Sequence, residues 1–266
     1  MYRADLGPKT AEFVLARQKG DGGFGATPHL PSTVEDTFYG LSILEALGLA
    51  KANDGRVKDS FKRAICYLQA VEPQPNWNPK TSYYYLLACH IAGTEPKQSA
   101  FHYDLLKYRD AQQSLEDVYY AYLVRERLRP HDGGPKYGRF SKINFCEWTT
   151  ARELWFKLNL APFVGDKKGP DKGKAGSWVR ACQNPDGGFG FYPGSTSFID
   201  NCYTCLKILI TLGQEPADLE GVRGFILRCK TARGGFSRKN GGAPFLSATW
   251  HAVASLELLI NLANGS

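Results

Sequence analysis

Two basic side chains three residues apart, Arg139 and Lys142 in the run Gly138-Arg-Phe-Ser-Lys-Ile-Asn-Phe-Cys146, are the first candidates for chemistry. On a loop that leads into a helix, this spacing lets a guanidinium fork and a point-charge ammonium converge on one diphosphate group. A solvated basic loop is the plainer reading of the same residues. Glu35 and Asp36, in Thr33-Val-Glu-Asp-Thr37, stand at a helix start, where a carboxyl could move a proton. Acids at that position also answer the positive end of the helix dipole, and Glu116-Asp117 repeats the arrangement. Cys146, Asp200 and Cys202 are weak metal candidates, because neighbouring helical positions point about 100° apart. Cys202-Tyr-Thr-Cys205 is a lone CxxC in an apolar helix with no second pair, which reads as core cysteines. His251, after Trp250 near the start of the last helix, could point inward as a proton carrier or simply pack.

Helical pairs must position these groups. FVLARQKGDGGF (13–24), WVRACQNPDGGF (178–189) and FILRCKTARGGF (225–236) are copies of one unit: a short helix, then a Gly-Gly-aromatic turn. Self-similarity at about forty residues marks a helical-hairpin repeat. Reading by period gives six pairs, at about 11–49, 58–92, 100–128, 131–160, 176–213 and 220–262. One hairpin cannot bury its apolar face alone, so the pairs must stack. Six pairs can close as a ring, with the second helix of each pair inside. The expectation is an all-α (α/α)6 toroid, a single domain over residues 1–266. The inner helices open on aromatics: Phe38-Tyr39, Tyr83-Tyr84-Tyr85, Tyr119-Tyr120, Trp148, Tyr203 and Trp250. These can fill a core or wall an apolar funnel that accepts a long hydrocarbon.

Composition narrows the partners. The chain has 266 residues, 43% hydrophobic and 22% charged, ordinary for one soluble domain. No apolar run is long enough to span a bilayer. The start, MYRADLGPKT, lacks the apolar core of a secretion signal, so a cytoplasmic location is expected. Seven scattered cysteines without framework spacing agree with reduced thiols. A net charge of +7 permits an anionic partner. Nucleic acid fits poorly, because the aromatics sit at helical spacing rather than among the basic residues.

The Gln-x-x-Asp-Gly-Gly-Phe turns at 18–24 and 183–189 resemble the Q-W turn motif of the squalene and terpene cyclases, with Phe in place of Trp. The repeat pattern resembles the protein prenyltransferase beta subunits as well. The resemblance implies an alpha/alpha toroid and an isoprenoid, or isoprenyl diphosphate, as partner. It implies a head group held by Arg139 and Lys142, and a tail against Tyr84, Tyr120, Trp148, Tyr203 and Trp250. Prenyltransferases carry G-R-x-x-K-x-x-D-x-C and a later histidine that together hold zinc. Here the segment is one residue shorter, with Asn144 at the Asp position, Cys146 kept, and Asn201 at the histidine. A diphosphate-contacting histidine of that family falls on Ser114. Two neutral carboxamides and one cysteine make a poor zinc site, so zinc as cofactor is disfavoured and standard thiol prenylation with it. Thr33-Val-Glu35-Asp36-Thr37 is similar to the cyclases' D-x-D-D-T acid motif, with its first acid missing and its second a Glu. Cyclases of that class are expected to enclose substrate with a second helical domain, for which one toroid leaves no room. The other class of function is a non-catalytic toroid scaffold that presents one face to a protein partner.

Overall fold

The computed structural model describes residues 3–49, 54–74, 76–97, 114–128, 143–163 and 169–263. Arg139 and Lys142 lie outside the described residues, as do the expected first helices of the third and fourth pairs. Ten helices are described: α1 (Arg3–Leu15), α2 (Val34–Ala46), α3 (Gly55–Ala70), α4 (Pro79–Ala92), α5 (Leu115–Leu128), α6 (Ala151–Leu160), α7 (Lys172–Ala181), α8 (Ile199–Thr211), α9 (Leu219–Arg228) and α10 (Leu246–Ala263). Among the described residues, β-pairing is confined to isolated bridges.

Local signals start these helices where the sequence places capping residues. Asp54, Asp171 and Asp218 cap the outer helices α3, α7 and α9 by accepting backbone N–H bonds in the first turn. Thr33, Asn78 and Thr150 do the same for the inner helices α2, α4 and α6. At α4, Pro79 sits at the first helical position, where its missing N–H costs nothing, and Gly93 ends the helix at φ 70°.

The inner helices close into a ring. α2 packs on α4, α4 on α5, α5 on α6, α6 on α8, α8 on α10, and α10 returns to α2. Outside it, α1 lies on α2, α3 on α4, α7 on α8 and α9 on α10. The main core runs through both layers, from Val14 and Phe24 through Leu44, Cys89, Leu206 and Leu256, and a second cluster gathers α5 and α6 side chains such as Tyr119 and Phe156. The expected toroid is the observed fold.

The Gly-Gly-aromatic turns lock each outer helix to the next. Gln18 Nε2 donates to Gly22 O in its own turn and to Ser60 O on α3, both at 2.8 Å. Gln183 repeats this, donating to Gly187 O at 3.2 Å and to Asp218 O at 2.7 Å, the N-cap of α9. The third turn reaches back to the start of the chain. Lys230 Nζ donates to Leu6 O at 3.0 Å, and Thr10 Oγ1 donates to Gly234 O at 2.9 Å. The same device that joins consecutive pairs thus joins the last to the first.

Glycine is required at the first position of these Gly-Gly-aromatic turns. Gly22, Gly187 and Gly234 hold φ of 93°, 83° and 89°. A Cβ at each would fall onto a backbone carbonyl of the adjoining outer helix: Arg63, Gly221 and Lys9 respectively.

Candidate functional site

The first turns of α2, α4, α5 and α6 meet at one rim, where Glu35, Lys80, Glu116 and Arg152 pair with one another, and Asp200 of α8 lines the same cavity. Equivalent positions, spaced i, i+3/i+4 and i+7, then form three tiers around the axis. The top tier carries Lys80, Arg152 and Asp200; the middle tier is largely aromatic; the lowest carries Leu87, Leu123 and Lys207. Together they wall a cavity of about 450 Å³. That is within the range of small-molecule sites.

Charge alternates around the rim. Glu35 on α2 pairs with Lys80 on α4 at 3.3 Å, and Lys80 lies 3.8 Å from Glu116 on α5. Arg152 on α6 pairs with the same Glu116. Asp200 on α8 takes a two-pronged contact from Arg238, the closest at 3.0 Å. These side chains are a third to half exposed, so the pairs are worth little to stability. Their effect is to neutralise the rim's cations.

The middle tier is a belt of rings. Trp250 stands 5.5 Å from Phe38, Phe38 5.0 Å from Tyr84, and Tyr84 6.0 Å from Tyr120. Tyr119 stacks on Phe156 at 4.7 Å and accepts from Trp155 Nε1 at 3.0 Å. Tyr203 returns to Trp250 at 5.0 Å. Burial drives the phenol pKa values of Tyr39, Tyr84, Tyr120 and Tyr203 upward, so they stay neutral hydrogen-bonding groups. Tyr39 donates to Glu35 Oε1 at 2.6 Å, which ties the belt to the rim. Asn201 is 5% exposed and lines the cavity, and its buried Nδ2 has no hydrogen-bond partner among the described residues.

His251 faces the same cavity between the rings of Trp250 and Tyr203, at 4.9 and 5.5 Å. Its Nδ1 is 2.8 Å from Ser247 O, and a carbonyl only accepts, so Nδ1 carries the proton. Nε2 is therefore a lone-pair acceptor. Burial lowers the imidazole pKa to about 4, although Asp200 pulls the other way.

The sequence-derived candidates separate in space. Tyr84, Tyr120, Tyr203 and Trp250 come together in the cavity wall, and Asp200 joins them at its rim. Trp148 does not. It precedes the Thr150 cap of α6 and meets Trp178 of the outer helix α7 edge-on at 6.2 Å, so the α6 aromatics in the wall are Trp155 and Phe156. Glu35 reaches the rim through Tyr39 and Lys80. Asp36 turns the other way: its backbone N–H donates to Thr33 Oγ1 at 2.9 Å and its carboxylate accepts from that hydroxyl at 2.8 Å, a capping arrangement. Burial raises the Asp36 pKa, but the carboxyl does not line the cavity.

The three metal candidates are not gathered, and no cluster of three such ligands occurs among the described residues. Cys146 is exposed, Asp200 is held by Arg238, and Cys202 is fully buried. Repeat geometry explains Cys202. Thr37 Oγ1 accepts the Phe24 N–H and Thr249 Oγ1 accepts the Phe236 N–H, each at 3.0 Å and each thirteen residues on. Cys202 stands thirteen residues after Phe189 and takes that residue's N–H in the same way, with its thiol pKa pushed far up by burial. Cys202→Thr is expected to change stability by less than about 1.5 kcal/mol. Cys202→Val, which strands the Phe189 N–H, should cost about 1–3 kcal/mol. Paired urea titrations check this; equal losses would remove the assignment.

Lys80, Arg152, Trp155 and Lys207 went unnoticed in the sequence. Once one inner helix is in register their positions follow, because each lies at an offset that another helix fills with a wall residue.

Three comparisons bear on this architecture. The family model for the prenyltransferase alpha-alpha toroid domain matches residues 4–73 and 158–264, about two thirds of the chain. The match leaves out α4, α5, most of α6 and the Arg139–Cys146 segment. No curated protein matches the chain. Among solved structures, the fold is similar to the type II terpene cyclase MstE from Scytonema in its apo form, with TM-score 0.56 and 13% identity. The likeness covers 98% of this chain and 97% of that one.

Proposed function

Because the chain belongs to the prenyltransferase alpha-alpha toroid family, we propose that its central cavity binds an isoprenoid chain and handles it as a transferase or cyclase would. The observation that carries this reading is the aromatic belt, built from equivalent positions on all six inner helices around one cavity of about 450 Å³. Such a wall excludes water from a hydrocarbon and offers ring faces to a passing carbocation. For an isoprenyl diphosphate, Arg139 and Lys142 remain the proposed head-group ligands.

The rim carboxylates act as salt-bridge acceptors, the arrangement of carboxylates rather than of proton donors. His251 Nε2 is placed to take a proton from a cation in the cavity, and even a weak base suffices for so strong an acid. In this reading Glu35 orients Tyr39, and Asp36 holds the helix start. A zinc-dependent thiol transfer finds no support in Asn144, Cys146 and Asn201, of which Cys146 is exposed and Asn201 buried at the cavity wall.

Titrating farnesyl and geranylgeranyl diphosphate against wild type, Trp250→Ala and Arg139→Ala/Lys142→Ala tests the reading, with product analysis alongside. Wild type should bind, and Trp250→Ala should lose about tenfold or more, the order of one aromatic contact surface. Equal affinity of all three proteins would overturn it. Tight binding without turnover would leave the binding site and remove the enzyme.

A further inference from the structure

The lowest tier of the cavity holds a cation with no carboxylate partner among the described residues. Lys207 on α8 lies seven residues after Asp200, at the offset that α4 and α5 fill with Leu87 and Leu123. Its Nζ sits 4.0 Å from the centroid of Trp155 and 5.2 Å from that of Tyr203. It thereby spans the gap between those two rings and completes the aromatic belt. The other cavity cations differ: Lys80 and Arg152 each have a carboxylate at the rim, whereas no carboxylate lies within 4.0 Å of Lys207 among the described residues. Ring faces ease the charge, yet a mostly buried ammonium still lacks a counter-ion.

We infer that Lys207 Nζ is the head-group site for a monoanionic amphiphile, a carboxylate on a hydrocarbon tail, bound with its head turned inward among the aromatic rings. One ammonium balances one negative charge. A diphosphate needs several cations, and the two at the rim are already neutralised by Glu35 and Glu116. The inference rests on the cavity being the ligand site but not on the diphosphate assignment.

Burial lowers the Lys207 pKa to about 8, so the cation is present at neutral pH and lost above it. The other groups in the cavity do not blur this window. Lys80 on α4, Arg152 on α6 and Asp200 on α8 are paired at the rim. Burial pushes the tyrosines of α2, α4, α5 and α8 upward and His251 on α10 down to about 4.

The test uses the full chain, with farnesoate and farnesol as a matched charged and neutral pair and binding read by tryptophan fluorescence. At pH 7 wild type should prefer farnesoate by about tenfold or more, the order of one charge-assisted hydrogen bond. Lys207→Met should erase that preference, while Lys207→Arg should keep it. The wild-type preference should fade between pH 7 and pH 9. A preference that survives Lys207→Met, or is absent from wild type, overturns the inference while farnesol binding upholds the cavity. Failure of both ligands to bind wild type overturns the cavity reading itself.

Discussion

Gly234→Ala is expected to destabilise the protein by about 3 kcal/mol or more, far beyond an ordinary surface glycine change. Two penalties combine. The residue holds φ 89°, where an L side chain costs about 1–2 kcal/mol. Its Cβ would also fall onto the Lys9 carbonyl of α1, and backbone cannot yield as a flexible side chain can. Gly194 separates the two terms. It holds φ 83° with open space around its Cβ position, so Gly194→Ala should show the conformational penalty alone. Chemical denaturation of both variants measures the difference. If the two lose equal stability, the contact between the last turn and the first helix does not hold the ring shut.

The geometry gives this contact more weight than its equivalents. Gly22 and Gly187 press on outer helices that are close in sequence, Arg63 and Gly221 respectively. Gly234 presses on residues more than two hundred positions away, as do the hydrogen bonds of Thr10 and Lys230. Closing so long a loop costs conformational entropy that local packing does not recover. A strained closing turn therefore opens the toroid rather than one hairpin, and the rim pairs and aromatic belt depend on that closure.

Much of this was legible in the sequence because repeats state the same physics several times. The three Gly-Gly-aromatic turns and the aromatics that open the inner helices pointed to the ring and its inner face, and four of the five aromatics expected against a tail line the cavity. Trp148 failed for a local reason. Thr150-Ala-Arg-Glu153 has the S/T-x-x-E pattern of a helix start, with Glu153 N–H bonded to Thr150 Oγ1 at 3.2 Å and Glu153 Oε2 accepting from Thr149 N, just before the cap, at 2.8 Å. Placing the helix start at that pattern would have moved the wall position to Trp155. Asp36 failed for another: adjacent carboxyls on one helix point to different faces, and only Glu35 has the register of the rim. Lys207 reads in isolation as a stray charge in an apolar helix. Its meaning comes from what surrounds it, two rings and no carboxylate, and no linear pattern records that.

The burial of His251 has a consequence for acid stability. Its folded-state pKa is about 4, against an ordinary 6.5, because burial disfavours the imidazolium. The unfolded chain therefore binds a proton that the native state refuses as pH falls through 6.5. The stability His251 supports is intact above that value, declines between 6.5 and 4, and is lost below 4. At about 1.4 kcal/mol per unit, the loss is of the order of 3–4 kcal/mol. His251→Gln keeps a donor for Ser247 O but cannot titrate, so its stability should vary less from pH 7 to pH 4 than that of wild type. Thermal or urea midpoints at four or five pH values give the two slopes. Parallel slopes would mean that the imidazole is solvated in the native protein. Its neutral Nε2 would then no longer be shielded from water, and the proton-accepting role would lose its physical basis.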